Sequence, residues 1–155
     1  MKPARVLFLC IGNACRSPMA EGFARAYGSD VLMAESAGLA PALTVSPLTH
    51  KVMLEKNIDL GHMYPRSLEN LKGQFDLIIN MSGEALPRGL KAPVEEWTVR
   101  DPIGEPEEVY REVRDQIEQR VMRLVLAMRN RKPPRSQESV SGSARVDSQR
   151  QPPRK

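Results

Sequence analysis

The sequence predicts an α/β protein: a three-layer sandwich with a parallel sheet between layers of helix. Three observations predict it. The stretch Arg5 to Cys10 is an unbroken apolar run of strand length from Val6 onward, as expected of a parallel strand covered on both faces. Tyr110, Val113, Ile117, Val121, Leu124 and Met128 recur at spacings of three and four, which lines one face of a long helix. Between these two segments, short apolar runs alternate with helical patterns, and such alternation argues for a parallel sheet with right-handed crossovers.

The elements follow in order. Arg5 to Cys10 is the expected central strand. The loop Ile11-Gly12-Asn13-Ala14-Cys15-Arg16 leads to Ser17-Pro18, where Ser17 is a helix N-cap candidate and Pro18 suits the first helical position. A second strand is expected over Val31 to Glu35, ending at a turn Ser36-Ala37-Gly38. Ser46-Pro47 repeats the cap-plus-proline signal and opens a helix to about Lys56. Phe75 to Met81 reads as the next buried strand, and a weaker strand is expected near Trp97 to Val99. The long helix closes the fold.

Residues 1–131 form the expected folded domain, and 132–155 a disordered basic tail rich in Pro, Ser and Arg. The chain has 155 residues and a net charge of +4, but eight Lys or Arg against two acidic residues from Arg129 onward leave residues 1–128 at −2. The tail has too few large apolar residues to offset the entropy of ordering. It also carries no aromatic residue to stack on bases, so a solvated tail is expected rather than a nucleic-acid-binding arm. No apolar run approaches the roughly 20 residues of a membrane span, nor does the first one suit a signal peptide, so a cytoplasmic protein is expected.

Two cysteines, Cys10 and Cys15, exclude a disulfide framework and a structural zinc site. They leave a choice between buried thiols and a reactive pair. A Cys ending a buried strand is usually inert packing, and a bare Cys-x5-Arg is a weak signal. Here the strand, the Cys-x5-Arg-Ser spacing, the Gly and Asn of the loop and a Pro-started helix coincide. If the loop curls with its N–H groups inward, the amides of Ile11, Gly12, Asn13, Ala14, Cys15, Arg16 and Ser17, with the positive helix end, make a nest for a dianionic oxyanion. Arg16 returns to the same rim and can grip two oxygens with its fork of donors. The same field stabilises a Cys10 thiolate. The Ser17 hydroxyl can donate to that sulfur, Asn13 can hold a left-handed turn, and Gly12 permits close backbone approach.

The stretch from Phe8 through Cys10, Gly12, Asn13, Cys15, Arg16, Ser17 and Pro18 to Glu21 resembles the signature of the low-molecular-weight protein tyrosine phosphatases, a superfamily shared with thioredoxin-coupled arsenate reductases. The likeness runs from about Arg5 to Met128. It implies a four-stranded parallel sheet, no metal or other cofactor, and phosphate or sulfate binding in the loop. It implies that Cys10 attacks phosphorus, that Arg16 and the loop amides hold the phosphoryl oxygens, and that Asp101, in the Asp101-Pro102 pair, protonates the leaving oxygen. It further implies that Ser36 and His62 buttress Asn13. Cys15 stays open between packing under the loop and, as the resemblance suggests, a reversible disulfide partner for Cys10.

The expected activity is therefore a phosphomonoesterase, of the protein tyrosine phosphatase type, that works through a phosphocysteine intermediate. Its substrate would be a phosphorylated protein or a small phosphomonoester, and the expected state is a monomer. Two features depart from the tyrosine phosphatases. Pro102 is followed by Ile103-Gly104 rather than by the aromatic residues that wall an aryl-phosphate cleft. The segment from Trp97 through Tyr110 to Asp115 looks closer to the arsenate reductases. Yet Asn80-Met81-Ser82-Gly83 and Pro87-Arg88-Gly89, where resolving thiols would be expected, contain no cysteine. Arsenate reduction would thus need an external thiol, or Cys15 acting alone. A third expectation is an oxyanion-binding adaptor that turns over poorly.

Overall fold

The computed structural model describes residues 2–131, so the expected tail at 132–155 lies outside the described residues. Four strands, β1 (Ala4–Cys10), β2 (Leu32–Gly38), β3 (Leu77–Asn80) and β4 (Val94–Glu96), form one sheet in the order β2-β1-β3-β4. Every pairing is parallel. Three α-helices accompany them: α1 (Arg16–Gly28), α2 (Pro47–Leu54) and α3 (Glu107–Arg129). None of the described helices is long and apolar enough to cross a membrane.

The period of two in β1 sends Val6, Phe8 and Cys10 to one face and Leu7 and Leu9 to the other, all buried. Val6 and Phe8 meet the buried stripes of all three helices, including Phe23, Val52 and Ile117. Leu7 and Leu9 join Ala37 and Ile78 under Leu68, Leu71, Phe75, Leu86 and Leu90. Among the described residues, the helical cover on that second face is one 3-10 turn, Leu68–Asn70, and the remainder is loop. The α3 stripe is buried at the spacing the sequence predicts, with Val125 added beside a half-buried Leu124.

Two strands sit differently from the expectation. The second runs through Ser36 and Ala37 to Gly38 instead of turning there, because each of the three pairs with β1. The fourth covers Val94–Glu96 rather than Trp97 to Val99. Its side chains are all exposed, so the ladder carries no apolar signal. Glu95 and Glu96 instead place charge on a sheet edge, which discourages pairing with another chain. The alternation at Trp97 and Val99 is real, but both side chains are buried after the strand has ended, Trp97 against Phe8.

Helices α2 and α3 are tied by charge. Glu55 accepts from Arg111 at 2.7, 2.9 and 3.2 Å, and from Arg114 at 2.7 Å. Hydrogen bonds from Arg111 and then Arg114 hold the Glu55 carboxyl at about 2, below its ordinary 4.5. A carboxylate lowered on folding stabilises the protein above its unfolded value and loses that contribution as pH falls through the folded one. Urea unfolding of wild type should therefore lose stability as pH drops from about 4.5 towards 2, and Glu55→Gln should flatten that stretch of the profile. Identical slopes would mean the cluster contributes nothing.

Candidate active site

The strand order changes direction at β1, with β2 on one side and β3 and β4 on the other, and a crevice at such a point, beyond the carboxyl ends of the strands, is where these sheets bind ligands. Cys10 ends β1 there, 2% exposed. The loop that follows is held open from outside. The carbonyls of Cys10, Ile11, Gly12 and Ala14 accept from the amides of Leu39, Ala40, Ala42 and Ser46 at 2.8 to 3.2 Å. Thr49 Oγ1 adds a second donor to Ala14 at 3.1 Å. Asn13 adopts φ 51°, the left-handed turn expected of it. With the carbonyls fixed outward, none of the amides from Ile11 to Cys15 donates to another described backbone group. They remain for an anion.

Gly38, expected at a turn but paired in β2, sets where this loop sits. A Cβ there would lie 2.6 Å from the Ile11 carbonyl oxygen, 2.9 Å from the Asn13 nitrogen and 3.0 Å from the Gly12 carbonyl carbon. All three are backbone atoms, so Gly38→Ala must push the loop off β2. Displacing reacting groups by about an ångström costs on the order of 100-fold. We expect Gly38→Ala to fold and to lose about that factor in kcat/KM, measured with a chromogenic phosphomonoester; unchanged kinetics would show that the loop tolerates the shift.

Two donors face the Cys10 sulfur. Ser17 Oγ lies 2.9 Å from it and the Ser17 amide 3.4 Å. This corrects the expectation that Ser17 caps the helix: Cys15 occupies the N-cap position, α1 begins at Arg16, and the Ser17 hydroxyl is turned to the thiol. Its partner is Asn13, whose Nδ2 donates to Ser17 Oγ at 2.7 Å and to Ser36 Oγ at 3.0 Å. Ser36 is thus hydrogen-bonded to Asn13. His62 is not: it is exposed, and the Asn13 side-chain carbonyl accepts instead from the Arg66 amide at 2.9 Å. A backbone donor leaves no trace in residue type, so this role of Arg66 was invisible in the sequence.

Arg16 is 5% exposed. Its Nη1 donates to the carbonyls of Met81 at 2.5 Å and Val99 at 3.0 Å, anchoring the guanidinium to the end of β3 and to the segment after β4. Nη2 lies 3.4 Å from Asp101 Oδ2, and Nε is buried without a protein partner. An oxyanion in the loop fits that orphan donor. Asp101, with a side chain 39% exposed, is fixed through Oδ1 by the Ile103 amide at 3.1 Å. The fold therefore gathers Cys10, Arg16, Ser17 and Asp101 at one crevice, although Asp101 follows Cys10 by some ninety residues.

Cys15 is buried. Its sulfur contacts the Tyr110 hydroxyl at 3.8 Å, and Tyr110 in turn meets Ser46 Oγ at 3.1 Å. Burial pushes the Cys15 thiol above its ordinary value, with hydrogen bonds from Thr49 and Tyr110 offsetting only part of that. At neutral pH Cys15 is a thiol.

A family model described as low molecular weight phosphotyrosine protein phosphatase matches residues 5–134. The chain belongs to this family. Among similar members, the glutaredoxin arsenate reductase of Synechocystis is 34% identical over 126 residues, covering 78% of this chain and 95% of that protein. Arsenate reductase 2 of Staphylococcus haemolyticus is 32% identical, over 76% of this chain and 92% of its own. A solved arsenate reductase in a phosphate-binding state superposes with a TM-score of 0.75 at 34% identity, over 81% of this chain and 98% of that one. A tyrosine phosphatase from Erwinia amylovora, at 21% identity and a TM-score of 0.70 over 84% of this chain and 95% of its own, shares the fold.

Proposed function

We propose that the protein is a phosphomonoesterase acting through a phosphocysteine intermediate. One observation carries this reading: the side chains gathered at the crevice suffice for hydrolysis, whereas arsenate reduction needs a second reactive thiol that they do not supply. The Cys10 sulfur attacks phosphorus in line, an S–P bond forms, and the ester P–O bond breaks as Asp101 hands its proton to the leaving oxygen. Water then attacks phosphorus, the S–P bond breaks, and the Asp101 carboxylate takes up the water proton. Arg16 and the loop amides hold the three equatorial oxygens throughout. The nucleophile must stay reduced, which fits a cytoplasmic location.

The position after β3 is taken by Met81 and Ser82, and the turn there is closed by Asn80, which accepts from Ser82 and donates to Glu96. Cys15 would have to leave Tyr110 and ionise against its raised pKa before it could attack an adduct on Cys10. Its packed reading requires neither.

A second reading, arsenate reduction with an external thiol, is favoured by the similarity to proteins named arsenate reductases and by Ile103, exposed where an aromatic wall would serve an aryl substrate. In it Cys10 displaces hydroxide from arsenate, which leaves as water. A thiol such as glutathione then attacks the Cys10 sulfur, forming a mixed disulfide and releasing arsenite with two electrons gained by arsenic. The test runs both reactions on one preparation: p-nitrophenyl phosphate hydrolysis, and arsenite formation with glutathione and glutaredoxin. The phosphatase reading expects phosphate release that Asp101→Asn slows by about 100-fold or more. Arsenite without phosphate release replaces it with the second reading, and tight oxyanion binding with neither product leaves an adaptor.

A further inference from the structure

A cavity of about 470 Å³ lies between α1 and the segment 57–66 that follows α2, and the reaction outlined above gives it no task. Its lining holds none of Cys10, Arg16 and Asp101, so it is separate from the crevice. We propose that this cavity is a second ligand site, which takes a small organic carboxylate and steadies the oxyanion loop when filled. The site does not depend on Cys10 being the nucleophile.

The class of ligand follows from what the walls leave unpaired. Gly22 and Ala26 of α1, with Ile58, Leu60 and Met63, make an apolar floor, and the volume suits a small molecule with a compact body. The rim is polar: Arg25, His62, Tyr64 and Arg66. Arg25 spends only Nη2, on Glu21 Oε2 at 2.5 Å and the Ala34 carbonyl at 3.3 Å. Arg66 likewise spends only Nη2 of its guanidinium, on the Ser36 carbonyl at 3.2 Å. The remaining guanidinium donors of both have no partner among the described residues, and His62 and Tyr64 beside them are exposed. The acceptors are more fully used. Glu21 takes the Ser36 hydroxyl at 2.6 Å and pairs with Arg25, and Asp59 Oδ1 takes the Gly61 amide at 2.8 Å. Spare donors therefore outnumber spare acceptors, and the ligand that satisfies them presents oxygen. The second Asp59 oxygen keeps a negative charge at the same cavity, which disfavours a dianion and leaves the monoanionic carboxylate. Its apolar body lies on the floor, with a ring against Tyr64.

A filled cavity bears on the loop through the main chain of residue 66. The Arg66 carbonyl accepts from the Gly38 amide at 2.8 Å, and the next residue, Ser67, bridges to Gly38 in parallel. Gly38 lies so close to the loop backbone that a Cβ there would stand 2.6 Å from the Ile11 carbonyl oxygen. A carboxylate gripped by the Arg66 side chain restrains residue 66, and residue 66 restrains Gly38 against the loop. The amides are then held in place before the oxyanion arrives. Such a link is reciprocal, so an oxyanion in the loop raises the affinity of the cavity by the same factor.

The test titrates the full chain with benzoate and with its neutral isostere benzamide, followed by amide chemical shifts in NMR. Benzoate should shift the amides of Gly22, Ala26, Leu60 and Met63 to saturation, and benzamide should bind about tenfold more weakly or less. Ala26→Phe builds a ring into the cavity from an exposed helix position, and should abolish these shifts while inorganic phosphate still binds. His62→Ala, exposed on the opposite wall, should weaken benzoate by about threefold. Saturating benzoate should tighten inorganic phosphate by about fivefold in wild type and leave it unchanged in Ala26→Phe. Absent shifts, shifts confined to the amides of Ile11 to Ser17, equal binding of benzamide, or phosphate affinity unmoved or weakened by benzoate would each overturn the proposal. His62→Ala reports from a separate wall, so the test survives if Ala26→Phe fails to fold. Neither probe is turned over, so a preparation without phosphatase activity overturns the functional reading and leaves this result separately legible.

Discussion

Cys10→Ser should abolish p-nitrophenyl phosphate hydrolysis, lowering kcat by a factor on the order of 10⁴ or more, while phosphate binding by titration calorimetry persists. The two readouts divide because the site divides. The cradle is built from loop amides, whose carbonyls are fixed by Leu39, Ala40, Ala42 and Ser46, and from Arg16. None of these depends on the sulfur. The nucleophile does depend on it: two donors from Ser17 and the positive end of α1 converge on an atom that must carry negative charge, and a serine hydroxyl does not ionise near neutrality. Thermal stability should change little, since a smaller hydroxyl at Cys10 keeps Ser17 as a partner. Arsenite formation should disappear with phosphatase activity, because both schemes begin at the same atom. Turnover within tenfold of wild type would remove Cys10 from the mechanism altogether.

The features legible in the sequence are the local ones. β1 and α3 were readable because their residues are buried by period, two in one case and about 3.6 in the other, and nothing distant has to be known. The loop was readable for the same reason: Cys10, Asn13, Arg16 and Ser17 lie within eight residues, and their spacing alone brings them to one rim. β4 was misplaced because an edge strand with exposed Val94, Glu95 and Glu96 is specified by backbone pairing to β3, which residue types do not record. Ser17, followed by Pro18, has the local pattern of a cap, and its hydroxyl is turned instead to the sulfur beside it. His62 failed and Arg66 took its place through a main-chain amide. Gly38 matters only once β2 is laid against β1, so no pattern within either segment could have marked it. Asp101 became legible through family resemblance alone, since an isolated Asp-Pro reads as a turn.

Arg16→Lys should be nearly as damaging as loss of the thiol, despite keeping the charge, with kcat/KM falling about 100- to 1000-fold and phosphate affinity falling with it. The guanidinium serves three parties at once. Nη1 holds the Met81 and Val99 carbonyls, Nη2 stands beside Asp101, and Nε together with Nη2 is available to an oxyanion. A lysine ammonium is a single point. Where it reaches the carbonyls it leaves the anion, and where it reaches the anion it leaves two buried acceptors unpaired at about 1–3 kcal/mol each. The contact to Asp101 adds little to stability, because that carboxylate is 39% exposed and solvent screens it. In the proposed reaction its value is positional, holding Asp101 beside Arg16. The variant should therefore lose both activity and some thermal stability, in contrast to Cys10→Ser, which loses activity alone. Full phosphate affinity in Arg16→Lys would mean that the loop amides suffice to bind the anion, and that Arg16 is chiefly a strut between β3 and the segment carrying Asp101.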